Sequence, residues 1–432
     1  MSIGTLVLLI LAAPFFALPI TLTIDILTLA CHKVNAATKR KSGKKEGDSD
    51  CVRGELVPSK KVSSKPAKDV TVIISAHKES GLIEDSIRSV LRQGYSIKNI
   101  YISDSNLDNT KEEVEKLKRT IAGFRKKFPK IYYWSKEGMT SKSEKLNQLI
   151  RDPKVRLGKY VYFLDSGLNL HPGTIERLVE SAIEEGAVAS TSYGYVTPPK
   201  SYPAKYFHYG KEWINRISRF RKRAQSYRRG MFVVCGASFL VKSEVAKKIP
   251  IPTNVRTEDT AYTWAIQEEG HKISFTQDAI VSTVDVPTLK RELKQSYRWY
   301  LGTWQVMYLH RSVFGMKSKA KSLAYLSVLP GLFETTTYTI SVLMFPFLLY
   351  FLPIYAAYFA IGDTVLSFFA PIMGHVFSGQ PGKIPRELLH TVRHYHQILA
   401  FKFFSSALWI LTGANMIFDV ATGRSKNWGN KW

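Results

Sequence analysis

The chain has 432 residues, of which 45% are hydrophobic and 12% aromatic, and this composition excludes a disordered or collagen-like protein. It carries 61 Lys and Arg against 35 Asp and Glu, a net charge of +26 that favours phosphorylated small molecules, nucleic acid or an anionic membrane surface as partners. The three cysteines are too few for a disulfide framework or a cysteine-based zinc site, and their odd number indicates a reducing compartment.

The N-terminal region has the composition of a membrane anchor. Residues 3–30 contain no Lys or Arg and one acid, Asp25, and a helix needs about 20 apolar residues to cross the hydrocarbon layer. We therefore predict a spanning helix at residues 1–31 that is retained rather than cleaved. Residues 32–68 follow as a basic linker, which the positive-inside rule places on the cytoplasmic side.

The central region, residues 69–286, alternates short β-branched or aromatic runs with apolar residues at helical spacing. Strands are predicted at residues 70–75, 100–103, 131–134 and 160–164, with amphipathic helices after the first, second and fourth. This alternation predicts an α/β fold with a doubly wound, mostly parallel sheet. Ligands of such sheets lie beyond the carboxyl ends of the strands.

Polar and acidic residues stand just after several of these strands. They are His77, Lys78 and Glu79 after the first strand, Asp104 and Asp108 after the second, Asp165 after the fourth, and Glu258 and Asp259 farther along. Each one alone is explained as a loop residue or a helix cap. Their recurrence at successive strand ends favours a crevice that holds a ribose and a base, binds a divalent cation, or provides a catalytic base.

Apolar runs dominate the C-terminal region, residues 322–421. Residues 323–376 are long enough for two helices and residues 398–420 for a third, so we predict three crossings before a basic tail at residues 422–432. This count places the tail outside, against the positive-inside rule. A re-entrant or interfacial segment in place of one crossing is the alternative.

Two further stretches, residues 205–229 and 290–321, mix Lys and Arg with aromatic side chains. The mixture is typical of interfacial helices at anionic headgroups and also of nucleic-acid-binding surfaces. Because apolar runs flank these stretches and no nucleic-acid motif is present, we predict membrane lipids as partners and no nucleic acid.

An ordered set of motifs runs through the central region. In chain order the motifs read VTVIISAHKES, ISDSNLDNT, SKSEKLN, FLDSGLNLHPGTIERLV, GASFLVKSEV, TED and QSYRWYLGTWQ. The set resembles the family 2 glycosyltransferases, specifically the membrane-integrated branch of hyaluronan, chitin, cellulose and poly-N-acetylglucosamine synthases. The resemblance covers about residues 68–310. It implies a GT-A type nucleotide-sugar-binding domain at residues 69–286, followed by a QxxRW segment and interfacial helices at residues 287–321.

The resemblance also implies roles for individual residues. Asp259 is the expected catalytic base, with Glu258 positioning the acceptor or the base. The expected nucleotide-sugar-binding residues are Ala76, His77, Glu79, Asp104, Lys142, Asp165, Gln295 and Arg298, and the expected acceptor-binding residues are Gly236, Ala237 and Trp299. Considered without the resemblance, Asp259 is more typical of a capping acid at a helix start, and Trp299 of a core aromatic.

The Asp-x-Asp motif of the family is incomplete in this chain. Asp165 matches the first acid, whereas Gly167 stands in place of the second. The resemblance implies Mg²⁺ or Mn²⁺ at Asp165, with Asn169 or a water as the substitute oxygen ligand.

The function implied by the resemblance is inverting transfer of a sugar from a nucleoside diphosphate sugar to an acceptor hydroxyl, by a catalytic domain on the cytoplasmic side of the membrane. A uridine diphosphate donor is expected, with guanosine diphosphate mannose as the main alternative. We expect the enzyme to lengthen and export a growing glycan. Two alternatives are a single addition to a lipid acceptor and, because of Gly167, a degenerate subunit without catalysis.

Overall fold

The structure, a computed structural model, describes residues 20–32, 70–123, 128–136, 139, 141–200, 204–377 and 381–428. Residues Ile20–His32 form a short apolar helix, α1. The rest of the crossing predicted at residues 1–31 and nearly all of the linker predicted at 32–68 lie outside the described residues.

The central region is an eight-stranded sheet with helices on both faces. Its elements in chain order are β1 (Val70–Ser75), α2 (Ile83–Leu91), β2 (Ile97–Asp104), α3 (Thr110–Ala122), β3 (Lys130–Ser135), α4 (Lys142–Arg151), β4 (Tyr160–Asp165), β5 (Asn169–Leu170), α5 (Thr174–Glu184), β6 (Ala189–Thr197), α6 (Ala204–Tyr227), β7 (Ser238–Lys242), α7 (Ser243–Lys248), α8 (Glu258–Glu268) and β8 (Ile273–Val284).

The strand order is β3-β2-β1-β4-β7-β6-β8-β5. Strands β3, β2, β1 and β4 run parallel, β7 is antiparallel to both β4 and β6, and β6 is parallel to β8. The predicted GT-A type α/β fold is confirmed. The sheet is more mixed than predicted, because β7 and the short β5 both pair antiparallel with their neighbours.

Strand β1 is mostly apolar and is buried along nearly its whole length. Val72 and Ile74 pack on one face of the sheet with α2, α3 and α5, whereas Ile73 points to the other face with α4, α7 and α8. Successive side chains of a strand alternate between faces, so a strand covered by helices on both sides has apolar residues on both faces.

Three parallel strands end in line at one edge of the sheet. Ser75, the last residue of β1, pairs with Ser103 of β2 and with Asp165 at the end of β4. Asp104 is the last residue of β2. The loops that follow β1, β2 and β4 therefore emerge side by side, at the edge where α/β sheets bind ligands.

Helices make up the C-terminal part of the described chain. Helix α9 (Leu289–Leu309) carries the QxxRW residues. Three helices that are long and apolar enough to cross a membrane follow: α10 (Lys321–Phe351, with a π-helical turn at Ala324–Val328), α11 (Pro353–Phe377) and α12 (Ile384–Ala421). The three apolar C-terminal helices predicted from the sequence are confirmed.

Helix α6 lies between the sheet and the apolar helices, where it packs against β8, α11 and α12. Its basic side chains form ion pairs with acids of neighbouring elements: Lys211 with Asp285 (2.6 Å), Arg216 with Glu387 (2.5 Å), Arg221 with Glu334 (2.9 Å), and Arg228 with Asp25. Much of the positive charge predicted to face lipid headgroups at residues 205–229 is thus neutralised within the protein. Lipid binding by this stretch stays a prediction.

Candidate active site

The Thr-Glu-Asp motif begins helix α8, and Asp259 is its second residue. The Oδ1 atom of Asp259 accepts the backbone N–H of Thr260 at 2.8 Å. The other side of the carboxylate lies directly against Gly236, because a Cβ at position 236 would be only 2.5 Å from the Cβ of Asp259. Gly236 thus lets the backbone before β7 approach the carboxylate more closely than any other residue would allow.

Asp259 has the electrostatic properties of a general base. Burial and the neighbouring charge of Glu258 raise its pKa to about 6, against the lowering effects of the Thr260 N–H, Lys142 and Arg298. The carboxylate is therefore mostly ionised at neutral pH and binds a proton more readily than an ordinary aspartate. A base whose pKa lies near the working pH combines the correct protonation state with a favourable proton transfer.

Lys142 joins two of the acids at this site. Its ammonium lies 2.5 Å from Asp165 Oδ1 and 3.7 Å from Glu258 Oε1. It is the first residue of α4, whose start is fixed by a capping box between Ser141 and Glu144. Burial lowers the pKa of Lys142, but Asp165 and Glu258 outweigh it and raise the pKa to about 12. Lys142 therefore remains a cation.

The backbone at the start of β7 connects the two acidic positions. The carbonyl of Ala237 accepts the N–H of Asp165 at 2.9 Å, one residue after the contact between Gly236 and Asp259. Asp165 and Asp259 are thereby held on either side of the same two residues, Gly236 and Ala237.

Helix α9 is fixed to the Thr-Glu-Asp motif by close packing. A Cβ at Gly302 would meet the Thr257 side chain at 2.5 Å, and the side-chain oxygen of the fully buried Gln305 accepts the N–H of Arg256 at 3.2 Å. These contacts hold Arg298, one helical turn before Gly302, close enough to Asp259 for its charge to lower the pKa of that carboxyl.

Gln295 and Trp299 of α9, predicted to bind the nucleotide sugar and the acceptor, both lie beside Lys211. The Lys211 ammonium is 3.3 Å from Gln295 Oε1 and 5.8 Å from the ring centroid of Trp299. The same ammonium contacts Asp285 and Glu292, each at 2.6 Å. Trp299 is 44% exposed, so part of its ring is open to a sugar, and the structure does not place it in a core.

At the end of β2, only one of the two carboxylate oxygens of Asp104 has hydrogen-bond partners among the described residues. Asp104 is fully buried, and its Oδ2 accepts the Tyr133 hydroxyl at 2.6 Å and the Asn106 N–H at 3.1 Å. Its Oδ1 has no hydrogen-bond partner among the described residues. Burial and the bond to Asp104 raise the pKa of Tyr133. Oδ1 is therefore a buried acceptor that still lacks a donor in the described part of the chain.

The loop after β1 is attached to the end of β2. Ala76 donates its N–H to the carbonyl of Ser103 at 2.9 Å, and His77 Nδ1 lies 2.8 Å from the Ser105 hydroxyl. Lys145, which replaces a small residue of the family motif, donates to the same hydroxyl. Burial and the positive charge of Lys145 lower the pKa of His77.

Glu79 lies among several acids at this edge of the sheet. Burial, followed by the charges of Asp165, Asp108 and Asp104, raises the pKa of Glu79 to about 7. The acidic residues predicted at successive strand ends are therefore close enough to interact, and Glu79 connects the Asp104 region with the Asp165 region.

The comparison with protein families identifies this region. Residues 71–250 match the family model described as Glycosyl transferase family 2. The chain contains a family 2 glycosyltransferase domain. No curated protein matches the chain in sequence. The match ends before the Thr-Glu-Asp and QxxRW motifs, so assignment of those residues to the glycosyltransferase site rests on the geometry above.

Among solved structures, the mannosyltransferase PcManGT from Pyrobaculum calidifontis, in complex with GDP-Man and Mn²⁺, is 16% identical. The similarity covers 88% of this chain and 99% of that chain with a TM-score of 0.55, and it shows a shared fold. GalNAc-T7 with UDP, GalNAc and Mn²⁺ is 14% identical over 56% of this chain and 47% of that chain, with a TM-score of 0.37. S. aureus TarS 1–349 is 13% identical over 75% and 91% respectively, also with a TM-score of 0.37.

The described residues of the glycosyltransferase domain do not by themselves form a metal site. Gly167 adds no ligand, and its backbone, with φ of +81°, is in a conformation that side chains rarely adopt. The Asp165 carboxylate is already paired with Lys142 at 2.5 Å. In the described part of the chain, no three His, Cys, Asp or Glu side chains converge as metal ligands do.

Several residues at this site were missed by the sequence interpretation. Tyr133 and Lys211 are examples, because each is defined by contacts between distant segments. For Tyr133, the sequence offered only a tyrosine on a predicted strand that could lie beside β2. The signal for Lys211 was a lysine within a predicted interfacial helix, and nothing in its neighbours identified Asp285 and Glu292 as its partners.

Proposed function

We propose that this protein is an inverting, membrane-bound glycosyltransferase in which Asp259 deprotonates an acceptor hydroxyl. The observation that carries the proposal is the Asp259 carboxylate, which has a pKa of about 6, lies against Gly236, and is flanked by the cations Lys142 and Arg298. A base and two anion-binding groups around one crevice are what displacement of a nucleoside diphosphate requires.

In the proposed reaction, the acceptor oxygen attacks the anomeric carbon on the side opposite the diphosphate. The new bond joins that oxygen to the anomeric carbon, and the bond between this carbon and the phosphate oxygen breaks with its electron pair leaving on the diphosphate. The hydroxyl proton passes to Asp259 and then to solvent. Lys142 and Arg298 stabilise the charge that develops on the diphosphate, with Arg298 offering two parallel donors.

For the donor we propose a uridine diphosphate sugar, bound with its base toward Asp104 and its diphosphate toward Lys142. The unpartnered Oδ1 of Asp104 supports this orientation. Guanosine diphosphate mannose remains the main competitor, since the structurally similar PcManGT was solved with GDP-Man. Use of Mg²⁺ or Mn²⁺ remains a proposal: Asp165 would supply one ligand, and the diphosphate and water would have to supply the others.

For the acceptor we propose a growing glycan that the enzyme lengthens and exports from a cytoplasmic active site. The QxxRW helix α9, followed directly by three apolar helices, supports this proposal. A single addition to a lipid acceptor is the second candidate. It is favoured by a cavity of about 450 Å³ between α6, α9 and the apolar helices, a volume typical of sites for one small molecule.

The experiment that tests the proposal uses the purified full chain in nanodiscs. Each common nucleotide sugar is added with and without Mn²⁺ or Mg²⁺, and release of nucleoside diphosphate is measured together with the size of any product. Release with one donor supports the proposal, and product length separates a polymer from a single addition. A protein that binds a donor but transfers nothing to sugar or lipid acceptors supports the degenerate-subunit alternative instead.

We expect kcat/KM to depend on pH through Asp259. Below its pKa of about 6 the carboxyl is protonated and inactive as a base, so activity should fall about tenfold per pH unit and level off above neutrality. The dissociation constant of the donor, measured over the same range, is the control. Glu79, which has a pKa of about 7, lies beside the residues proposed to bind the donor. Its titration should therefore appear in the dissociation constant of the donor. A kcat/KM that is constant from about pH 5 to 8 would contradict the assignment of Asp259.

We expect Arg298→Lys to lower kcat by about 10- to 100-fold, because an ammonium keeps the charge but not the planar pair of donors. The exposed Arg291 on the same helix gives the matched control, Arg291→Lys, which should leave kcat unchanged. Steady-state kinetics of both variants measure the effect. Equal kcat values for Arg298→Lys and wild type would assign Arg298 a structural role.

A further inference from the structure

The cavity of about 450 Å³ lies between the catalytic domain and the apolar helices. One face of α6 lines it with residues three or four positions apart: Ile214, Ile217, Ser218, Arg221, Lys222 and Gln225. Helix α9 adds Tyr300, Thr303 and Met307, the segment before β7 adds Phe232 and Val233, and the remaining wall comes from α10, α11 and α12. We call this cavity the chamber; the three helices long and apolar enough to cross a membrane all contribute to its wall.

The chamber shares its walls with the candidate active site. Phe232 and Val233 line it, and Gly236, which contacts Asp259, follows three residues later. Three residues span at most about 10 Å. On α9, Thr303 faces the chamber while its neighbour Gly302 packs on Thr257 of the catalytic motif. Two short stretches of chain thus connect the chamber wall with the residues that contact Asp259 and Thr257.

Most charged side chains in the chamber wall form ion pairs with each other. Arg221 pairs with Glu334 at 2.9 Å, and Lys402 pairs with Asp363 at 2.7 Å. The Lys222 ammonium takes part in no ion pair or hydrogen bond among the described residues, although Asp259 and the Cys235 thiol are near enough to influence it electrostatically. A mostly buried ammonium without a direct ion pair is costly, and an anionic ligand in contact with it would reduce that cost.

We infer that the chamber binds a lipid-linked saccharide phosphate, with the phosphate at Lys222, a sugar hydroxyl at Asp259 and the hydrocarbon chain between α10, α11 and α12. The inference rests on the proposed function, because it takes Asp259 as the base, and it favours the second candidate acceptor, a lipid, over the growing glycan. A phosphate oxygen is already ionised at neutral pH and needs no base, so the nucleophile is the sugar hydroxyl and the phosphate is a recognition group. The donor diphosphate has its own cations in Lys142 and Arg298.

The test compares binding of farnesyl phosphate-linked hexoses and N-acetylhexosamines with binding of the neutral farnesyl glycosides of the same sugars. Binding is measured on the inactive Asp259→Asn protein in nanodiscs, so that turnover is not needed. We expect Lys222→Gln to weaken the phosphate-linked ligands by at least about 30-fold, as for removal of one partner of a buried charge pair, and to leave the neutral glycosides unchanged. Lys205→Gln, at an exposed lysine on the same helix, is the matched control.

Lys222→Arg keeps the charge and should preserve the preference for phosphate-linked ligands even if Lys222→Gln folds poorly. Equal binding of the phosphate-linked and neutral ligands by the Asp259→Asn protein that retains Lys222 would overturn the inference. Weaker binding of the nucleotide-sugar donor by Lys222→Gln would also overturn it, because this lysine would then belong to the donor site. Displacement of the lipid ligand by millimolar inorganic phosphate would overturn it too, because it would indicate a free-phosphate site.

Transfer assays on the wild-type protein separate this inference from the proposed function. Phosphate-selective binding through Lys222 without any sugar transfer would sustain the inference and refute the proposed function. Transfer at equal kcat/KM to phosphate-linked and neutral acceptors would sustain the proposed function and refute the inference.

Discussion

Asp259→Asn is expected to lower kcat for sugar transfer by about 10²- to 10⁴-fold while leaving the dissociation constant of the donor unchanged. The amide keeps the shape of the carboxylate and can still accept the Thr260 N–H at Oδ1, so α8 should form as before. It cannot take a proton from the acceptor. Transfer rates and donor binding by isothermal titration calorimetry measure the two quantities separately.

The matched control is Glu269→Gln at the other end of α8. Glu269 is 46% exposed and pairs with Lys248 on the surface, so its removal should change neither quantity. If Asp259→Asn transfers sugar at the wild-type rate, Asp259 is not the base, and the proposed mechanism is wrong.

Gly236→Ala is expected to reduce kcat by about 10²-fold or more, although the change adds only one methyl group. The methyl carbon would lie 2.5 Å from the Cβ of Asp259, so either the carboxylate or the β7 segment must move. A displacement of about 1 Å is enough to cost two orders of magnitude when a base must meet a reacting hydroxyl. Steady-state kinetics, with thermal unfolding as a check on folding, measure the effect.

Gly94→Ala controls for the substitution itself. A Cβ at Gly94 meets no atom within 4 Å, so this variant should keep wild-type kcat and stability. Because the carbonyl of Ala237 also accepts the N–H of Asp165, a shift of β7 should weaken donor binding as well in Gly236→Ala. Wild-type kinetics in that variant would show that the close contact between Gly236 and Asp259 has no functional importance.

The fold was predictable from the sequence because periodicity and burial agree. The run VTVIIS is apolar at four of its six positions and carries no charge, which indicates a strand covered on both sides; the structure gives β1 at Val70–Ser75. The acids after β1, β2 and β4 were predicted to converge because parallel strands end at the same edge. Ser75 at the end of β1 pairs with Ser103 of β2 and with Asp165 of β4, so these strands do end at one edge.

The parts of the site that were not predictable depend on tertiary contacts without a periodic signal. Gln295 lies beside Lys211 because α6, some 80 positions earlier in the chain, packs next to α9. Tyr133 meets Asp104 only because β3 pairs with β2 in a particular register. The antiparallel β7 was missed because its sequence, SFLVK, has the same apolar character as a parallel strand.

Helix α6 also determines what can be removed from this protein. A fragment that ends before residue 321 loses Glu334 and Glu387, the partners of Arg221 at 2.9 Å and of Arg216 at 2.5 Å. Arg216 would keep Glu212 at 2.5 Å and Arg221 would keep Asp25 at 3.8 Å, but each guanidinium would lose one of its two acidic partners. Because these lost pairs attach α6 to the apolar helices, proteolytic release of residues before 321 from the bilayer should give a less stable protein than the full chain.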